Sequence, residues 1–121
     1  MSRIIEIRTY NLKPDTRDEF DRIARTVVRP MLVQHGMDVV AMRASLADAS
    51  SYCLIRAYAD TADREASQAG FYGGNAWKEG PRDGIMACIS GFATMVIEAD
   101  ETTIDGLRDG PRLTALPRIA N

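Results

Sequence analysis

The sequence is poor in the residues that build metal and redox sites. It has one histidine and two cysteines among 121 residues. His35, Cys53 and Cys88 are too few and too scattered to supply a zinc-like site within one chain. The cysteines stand in apolar contexts, "YCLIRAY" and "IMACISGF". We predict two buried structural thiols in preference to a disulfide, no metal and no cofactor.

The sequence also lacks any long apolar run and any excess of positive charge. No stretch approaches the roughly 18 apolar residues that a membrane-spanning helix needs. The formal net charge is −2, which argues against electrostatically driven binding to nucleic acid or to an anionic membrane. The chain begins with a strand-like segment and no apolar signal region. We therefore expect a cytoplasmic protein with neither nucleic-acid nor membrane partners.

What is present is a regular succession of strand and helix patterns. "SRIIEIRTYNL" alternates as a strand, and "KPDTRDE" predicts a helix start in which Thr16 and Glu19 have capping-box spacing. The apolar helical stripe that follows is interrupted by Pro30 and ends at Gly36. It consists of Phe20, Ile23, Ala24, Val27, Val28 and Met31.

The rest of the chain reads in the same way. "MDVVAMRASL" and "SYCLIRAYA" predict a hairpin of two strands, and Asp60 is placed to cap an alanine-rich helix. A Gly73–Gly74 break, a further helix near "RDGIMACI" and a strand at "SGFATMVIEA" follow. The order βαββαβ predicts an α+β, ferredoxin-like fold over residues 1–100, with a four-stranded antiparallel sheet and helices on one face. Residues 101–121 are predicted to be an irregular tail that crosses a partner subunit.

Period-two alternation divides the central strands into two faces. We assign one face to the helices, namely Ile5, Ile7, Cys53, Ile55 and Ala57. The opposite face then carries Glu6, Arg8, Tyr10, Leu54, Arg56 and Tyr58. With Phe92 this second face is too apolar to be left in water, so we predict that two sheets pack face to face in a homodimer. The alternative is an open face whose charged residues are solvated or form cross-strand pairs.

Four blocks of the sequence resemble the NIPSNAP family. They are "IIEIRTYNLKPDTRDEF", "HGMDVV", "IRAYADTADREA" and "FYGGNAWKEGPR", and they run from Ile4 to Arg82 in the family's order. The resemblance implies a ferredoxin-like fold within the dimeric α/β-barrel superfamily, and hence a homodimer. That superfamily contains cofactor-independent monooxygenases, haem-degrading enzymes, isomerases and stress-responsive proteins, so the fold does not select an activity.

The candidate binding residues come from the charged face. Arg8 and Arg56 on neighbouring strands suit a planar carboxylate, whereas Glu6 would turn them into a structural ion-pair network. Tyr10 and Tyr58 offer aromatic walls with a hydroxyl, or simply pack in the core or interface.

Three further residues have two interpretations each. His35 is the default general base, but its place beside Gly36 favours a helix cap. Tyr72 and Trp77 lie in a glycine-broken segment, where they form either a lid over the pocket or a hydrophobic plug. His35, Asn11 and Trp77 also leave a haem-handling or monooxygenase function as a minor alternative.

The function that these residues favour is binding of a small acidic or carbonyl-bearing organic molecule in the barrel, with or without a cofactor-independent reaction. The alternative is a non-catalytic interaction or stress-related protein whose sheet face serves only as a dimer interface. Whether the protein is an enzyme stays open at this point.

Overall fold

The fold is built on one antiparallel sheet with the strand order β2-β3-β1-β4. The computed structural model describes residues 2–112. Its strands are β1 (Ser2–Leu12), β2 (Asp38–Ala44), β3 (Ser51–Tyr58) and β4 (Ile89–Asp100). Its helices are α1 (Arg17–Ile23), α2 (Arg29–Gln34), α3 (Thr61–Tyr72), α4 (Asn75–Glu79), α5 (Arg82–Cys88) and α6 (Glu101–Leu107). β1 and β3 lie in the centre, which confirms the ferredoxin-like prediction.

The first helical region bends through a wide turn instead of continuing as one α-helix. Residues Ala24–Val28 form a π-helical turn between α1 and α2, and Pro30 follows directly. Proline has no N–H and its ring crowds the carbonyl four residues earlier, so a widened turn relieves the conflict. The extra residue rotates the apolar stripe, because Phe20 and Val28 are buried while Val27 is exposed.

Local sequence signals predicted most helix boundaries correctly, but one predicted capping interaction does not form. Gly36 ends the first helical region with a φ of 95°, a conformation that glycine adopts without strain. Asp60 caps α3 by accepting a hydrogen bond from the backbone N–H of Asp63 at 2.8 Å. Thr16 does precede α1, but the predicted capping box is wrong. Its hydroxyl donates to the carbonyl oxygens of Lys13 and Cys88.

The main core lies between one face of the sheet and helices α1 to α5. It contains Phe20, Leu32, Tyr52, Leu54 and Trp77, among others. A second, smaller apolar cluster lies on the opposite face and is covered by α6, whose Ile104 is fully buried. The helices of residues 1–100 therefore lie on one face of the sheet, as predicted, and α6 is an addition on the other face. The predicted irregular tail is wrong over Glu101–Leu107, which form α6, and its last part, residues 113–121, lies outside the described residues.

The two cysteines lie on opposite faces of the sheet and are unpaired. Cys88 is buried on the helix side, where its Sγ contacts the carbonyl of Gly84. Cys53 is only half-buried and belongs to the cluster beneath α6. Within residues 2–112 the helices are all too short or too polar to cross a bilayer.

Candidate functional site

The charged residues of the central strands face the helices, which reverses the predicted orientation. Glu6 and Arg56 are paired across β1 and β3 and are both 0% exposed. Leu54, on the same face, is buried in the main core and cannot contact another subunit. Alternation identified correctly which residues share a face, but the helices cover the face that we had assigned to the dimer.

The carboxylate of Glu6 is the centre of this site. Its Oε1 accepts hydrogen bonds from Nε of Arg56 at 2.9 Å and from Nη2 of the same side chain. Its Oε2 accepts from Nη2 of Arg64 at 2.7 Å, from Nε2 of Gln68 at 2.9 Å and from Nη2 of Arg8 at 3.2 Å. We call these five residues the Glu6 cluster.

The Glu6 cluster carries more positive than negative charge. Three guanidinium groups surround one carboxylate, so the five side chains together hold a net charge of +2. Burial alone would raise the pKa of Glu6, but the charge of Arg56, with smaller contributions from Gln68, Arg64 and Arg8, lowers it from 4.5 to about 2. Glu6 is therefore ionised at every physiological pH, and the excess of positive charge persists.

Two tyrosines complete the surroundings of Arg56. Nη1 of Arg56 donates to the hydroxyl of Tyr72 at 2.7 Å, and the guanidinium lies 5.6 Å from the centre of that ring. The hydroxyl of Tyr58 accepts from Nε2 of Gln68 at 3.1 Å. Arg56 is therefore held entirely by protein groups, which is the structural ion-pair alternative that the sequence left open for it.

Arg8 lies at the rim of the cluster and has a different environment. Its side chain is 14% exposed. Its Nε donates to Oγ1 of Thr94 at 3.1 Å, and its guanidinium lies 4.8 Å from the ring centre of Phe92. Phe92 is 58% exposed, so an aromatic surface and a cation meet here at the protein surface.

Tyr10 lies beside this rim. Its ring is 6.3 Å from that of Phe92 and 5.2 Å from that of Phe20, centre to centre. Burial raises the pKa of Tyr10 to about 12, and the neighbouring Tyr72 adds to the rise. The hydroxyl is therefore protonated at neutral pH and is able to donate a hydrogen bond.

The predicted site residues thus fall into two groups. Glu6, Arg8, Tyr10, Arg56, Tyr58 and Tyr72 lie in or against the Glu6 cluster. Trp77 packs on one of them, Tyr72, edge-to-face at 5.1 Å. His35 lies on the far side of that aromatic layer, against Phe71 at 5.6 Å, in a groove that it shares with Trp77.

Sequence reasoning missed Arg64 and Gln68, although a signal for them exists. Together with Tyr72 they recur at i, i+4 and i+8, which places three polar side chains on one stripe of α3. Phe71 is the only buried residue of that helix. A helix that packs on a sheet with a polar stripe requires a polar partner, and that partner is Glu6.

Comparisons with known proteins agree with this fold. The NIPSNAP family model matches residues 5–87, more than half of the chain. An uncharacterized NIPSNAP-like domain protein from Burkholderia xenovorans is 18% identical with a TM-score of 0.71, covering 92% of this chain and 90% of that one. A NIPSNAP family protein of unknown function from Agrobacterium tumefaciens is 18% identical with a TM-score of 0.73, covering 90% and 92%.

A more distant match bears a functional title. A putative antibiotic biosynthesis monooxygenase from Nitrosomonas europaea is 16% identical with a TM-score of 0.56, covering 81% of this chain and 88% of that one. At these identities the solved structures show the fold alone. No curated protein matches the chain. Among residues 2–112 there is no group of three or more side chains arranged to hold a metal ion.

Proposed function

This chain belongs to the NIPSNAP family, and we propose that it binds a small organic anion at the rim of the Glu6 cluster. The observation that carries the proposal is the ratio of three guanidinium groups to one carboxylate in a largely buried setting. Such an excess of positive charge is costly unless a further anion or water compensates it. A carboxylate bound at the rim would supply that compensation.

Arg8 is the residue that would contact the ligand. It is the partly exposed arginine that lies against an aromatic surface, and its guanidinium has five N–H donors, of which Glu6 and Thr94 use only some. Phe92 and Tyr10 would flank an aromatic or otherwise planar ligand. Arg56 and Arg64 would act through their charge, because Arg56 is fully buried and Arg64 is turned toward Glu6.

A cofactor-independent reaction at the same place would rely on Tyr10. Its protonated hydroxyl, close to the cations, suits stabilisation of a negative charge that develops on a carbonyl oxygen. His35 has no part in this proposal, because it lies beyond Phe71 in another groove. Binding is the step that the geometry supports best, and a reaction is a further step of the same proposal.

Benzoate and its neutral isostere benzamide test the binding proposal. A ligand that binds the folded state raises its stability by mass action, so benzoate should raise the melting temperature saturably and benzamide should not. Arg8→Met should weaken benzoate by about 1.5–3 kcal/mol, the scale of a charged hydrogen bond, or roughly tenfold to a hundredfold. Arg22→Met is the control, because Arg22 is exposed and pairs only with Glu19.

Equal stabilisation by the acid and the amide would refute an anion site. Unchanged benzoate affinity in Arg8→Met would refute this location for it. Titration calorimetry measures both affinities directly and separates binding from any change in the stability of the variant.

We also propose that a second copy of the chain covers the open part of the opposite sheet face. On β1 and β4 this face presents Ile7, Ala93, Met95 and Ile97, of which Met95 is 61% and Ile97 is 44% exposed. These residues form a continuous apolar patch, which we call the outer patch, and such patches mark interaction surfaces. If assembly through the outer patch occurs without any anion binding, the non-catalytic interaction protein becomes the better description.

A further inference from the structure

A second recess lies between the end of α2 and the α3–α4 corner, away from the Glu6 cluster. Its volume is about 560 Å³, within the range of roughly 300–1,000 Å³ that is usual for small-molecule sites. Met31 and His35 form one wall, Gly70 and Ala76 form the other, and Phe71 and Trp77 form the floor. We call this recess the His35 groove.

The floor of the His35 groove is rigid and aromatic. Phe71 and Trp77 are 6% and 8% exposed, and their ring centres lie 5.6 Å apart. Trp77 packs edge-to-face on Tyr72, which is itself held by Arg56. The floor is therefore fixed by the protein interior, and a small part of each side chain is open to the groove.

A missing side chain in α3 sets the shape of the groove. A Cβ added to Gly70 would lie 3.3 Å from Nε2 of His35, closer than ordinary van der Waals contact. Glycine at this position makes the helix less stable than alanine would, but it lets the imidazole lie against α3. The ring is thereby positioned along the groove, with Gln34 and Asn75 as further polar residues among its lining.

The lining contains no Asp, Glu, Lys or Arg side chain. An ionic ligand would lose hydration in the groove without gaining a charged partner, so the groove favours neutral molecules. We propose that the His35 groove binds a neutral, planar aromatic molecule with one hydroxyl group. The ring would lie over Phe71 and Trp77, and the hydroxyl would hydrogen-bond to the His35 imidazole. This site goes beyond the anion site proposed above and takes a different ligand class.

Benzyl alcohol is the probe for this site, because it is neutral, aromatic and carries a single hydroxyl. Trp77 is the only tryptophan of the chain, so its fluorescence reports on the groove directly. Titration of the full-length protein should give a saturable fluorescence change. Benzoate, the charged counterpart, should not compete for it, because it belongs to the Arg8 site.

One variant should abolish this response, a second should weaken it, and a third is the control. Ala76→Leu fills the groove from an exposed helical position and should abolish saturable binding, whereas Ala66→Leu, exposed on α3 outside the lining, should leave it unchanged. His35→Phe keeps a ring but removes the hydrogen bond, and should weaken benzyl alcohol about threefold to tenfold. Melting temperatures confirm that each variant is folded.

The proposal is overturned if the fluorescence change does not saturate, or if it is the same in Ala76→Leu as in the wild type. It is also overturned if benzoate displaces benzyl alcohol, because both would then share one site. Arg8→Met provides the separation from the anion site. That variant should lose benzoate and keep benzyl alcohol, so either site can fail without the other.

Discussion

The charged face of the sheet is buried at its centre, whereas part of the apolar opposite face is left in water. The face covered by helices α1 to α5 buries Glu6 and Arg56 at 0% exposure. The opposite face buries Ile5 and Ala57 of the same central strands, but it leaves Met95 and Ile97 of the edge strand β4 61% and 44% exposed. The difference shows that a charged side chain can be buried when all its polar atoms are hydrogen-bonded, so hydrophobicity alone does not decide which residues are buried. The charged face has partners on α3 for its polar atoms, and the described residues include no buried side-chain N or O atom without a partner.

The opposite face is itself divided. At one end it is covered by α6, whose Ile104 packs in one apolar cluster with Ile5, Val40, Ile55 and Ala99, one residue from each strand. Farther along β1 and β4 the outer patch is uncovered. Within one chain, α6 therefore covers one part of this face. The outer patch is the part that a second copy would cover.

The largest expected effect comes from removing the negative charge of the Glu6 cluster. Glu6→Gln leaves the buried Arg56 without a counter-charge and should lower the free energy of unfolding by about 3–5 kcal/mol, measured by urea denaturation at pH 7. Glu19→Gln, at an exposed pair with Arg22, should leave stability unchanged within error. A loss below about 1 kcal/mol in Glu6→Gln would show that the covered charged face does not depend on this ion pair.

The contribution of Glu6 should also depend on pH. Its pKa is lowered from 4.5 to about 2, so the folded carboxylate binds a proton less readily than the unfolded one. Its stabilisation is therefore present above about pH 4.5 and is lost as the pH falls toward 2. The stability gap between wild type and Glu6→Gln should narrow by about 3 kcal/mol over that interval. A gap that stays constant from pH 6 to pH 3 would contradict this explanation.

A smaller loss of stability is expected when the segment that follows α6 is detached from the rest of the fold. Beyond α6, Asp109 accepts from Nη1 and Nη2 of Arg29 at 2.8 and 2.7 Å and from the backbone N–H of Met42 at 2.9 Å. Asp109→Ala should cost about 1.5–3 kcal/mol of unfolding free energy, because it breaks charged hydrogen bonds in a half-buried place. Asp105→Ala, in a more exposed pair with Arg108, is the control and should cost less.

A substitution in the outer patch should have the smallest effect on the stability of the folded chain and the largest effect on dimerisation. Met95→Asp should convert a dimer to a monomer at micromolar concentration, measured by sedimentation velocity, because it places a charge in an apolar contact. The monomer's own stability should change by no more than about 0.5 kcal/mol, since the site is exposed. Phe92→Asp, on the other face of the same strand, is the matched control and should leave the dimer intact. A monomeric wild type would disprove the interface.

The sequence alone determined the order of the elements and most of their boundaries. Strand alternation, the stop at Gly36 and the Asp60 cap are local signals that act through neighbouring backbone, so they are readable without the fold. Alternation also grouped Glu6 with Arg8, Tyr10, Arg56 and Tyr58 correctly, because side chains two apart on a strand must share a face.

Only the tertiary structure decided which face the helices cover. Both faces carry apolar residues, and a period of two is symmetric between them, so the pattern has no information about direction. The choice depends on Arg64 and Gln68, which lie about 60 residues after Glu6 and reach its carboxylate only when α3 packs on the sheet. The separation of His35 from the Glu6 cluster has the same origin. It depends on the packing of Phe71, Tyr72 and Trp77 between them, a contact among rings that no local signal in the sequence specifies.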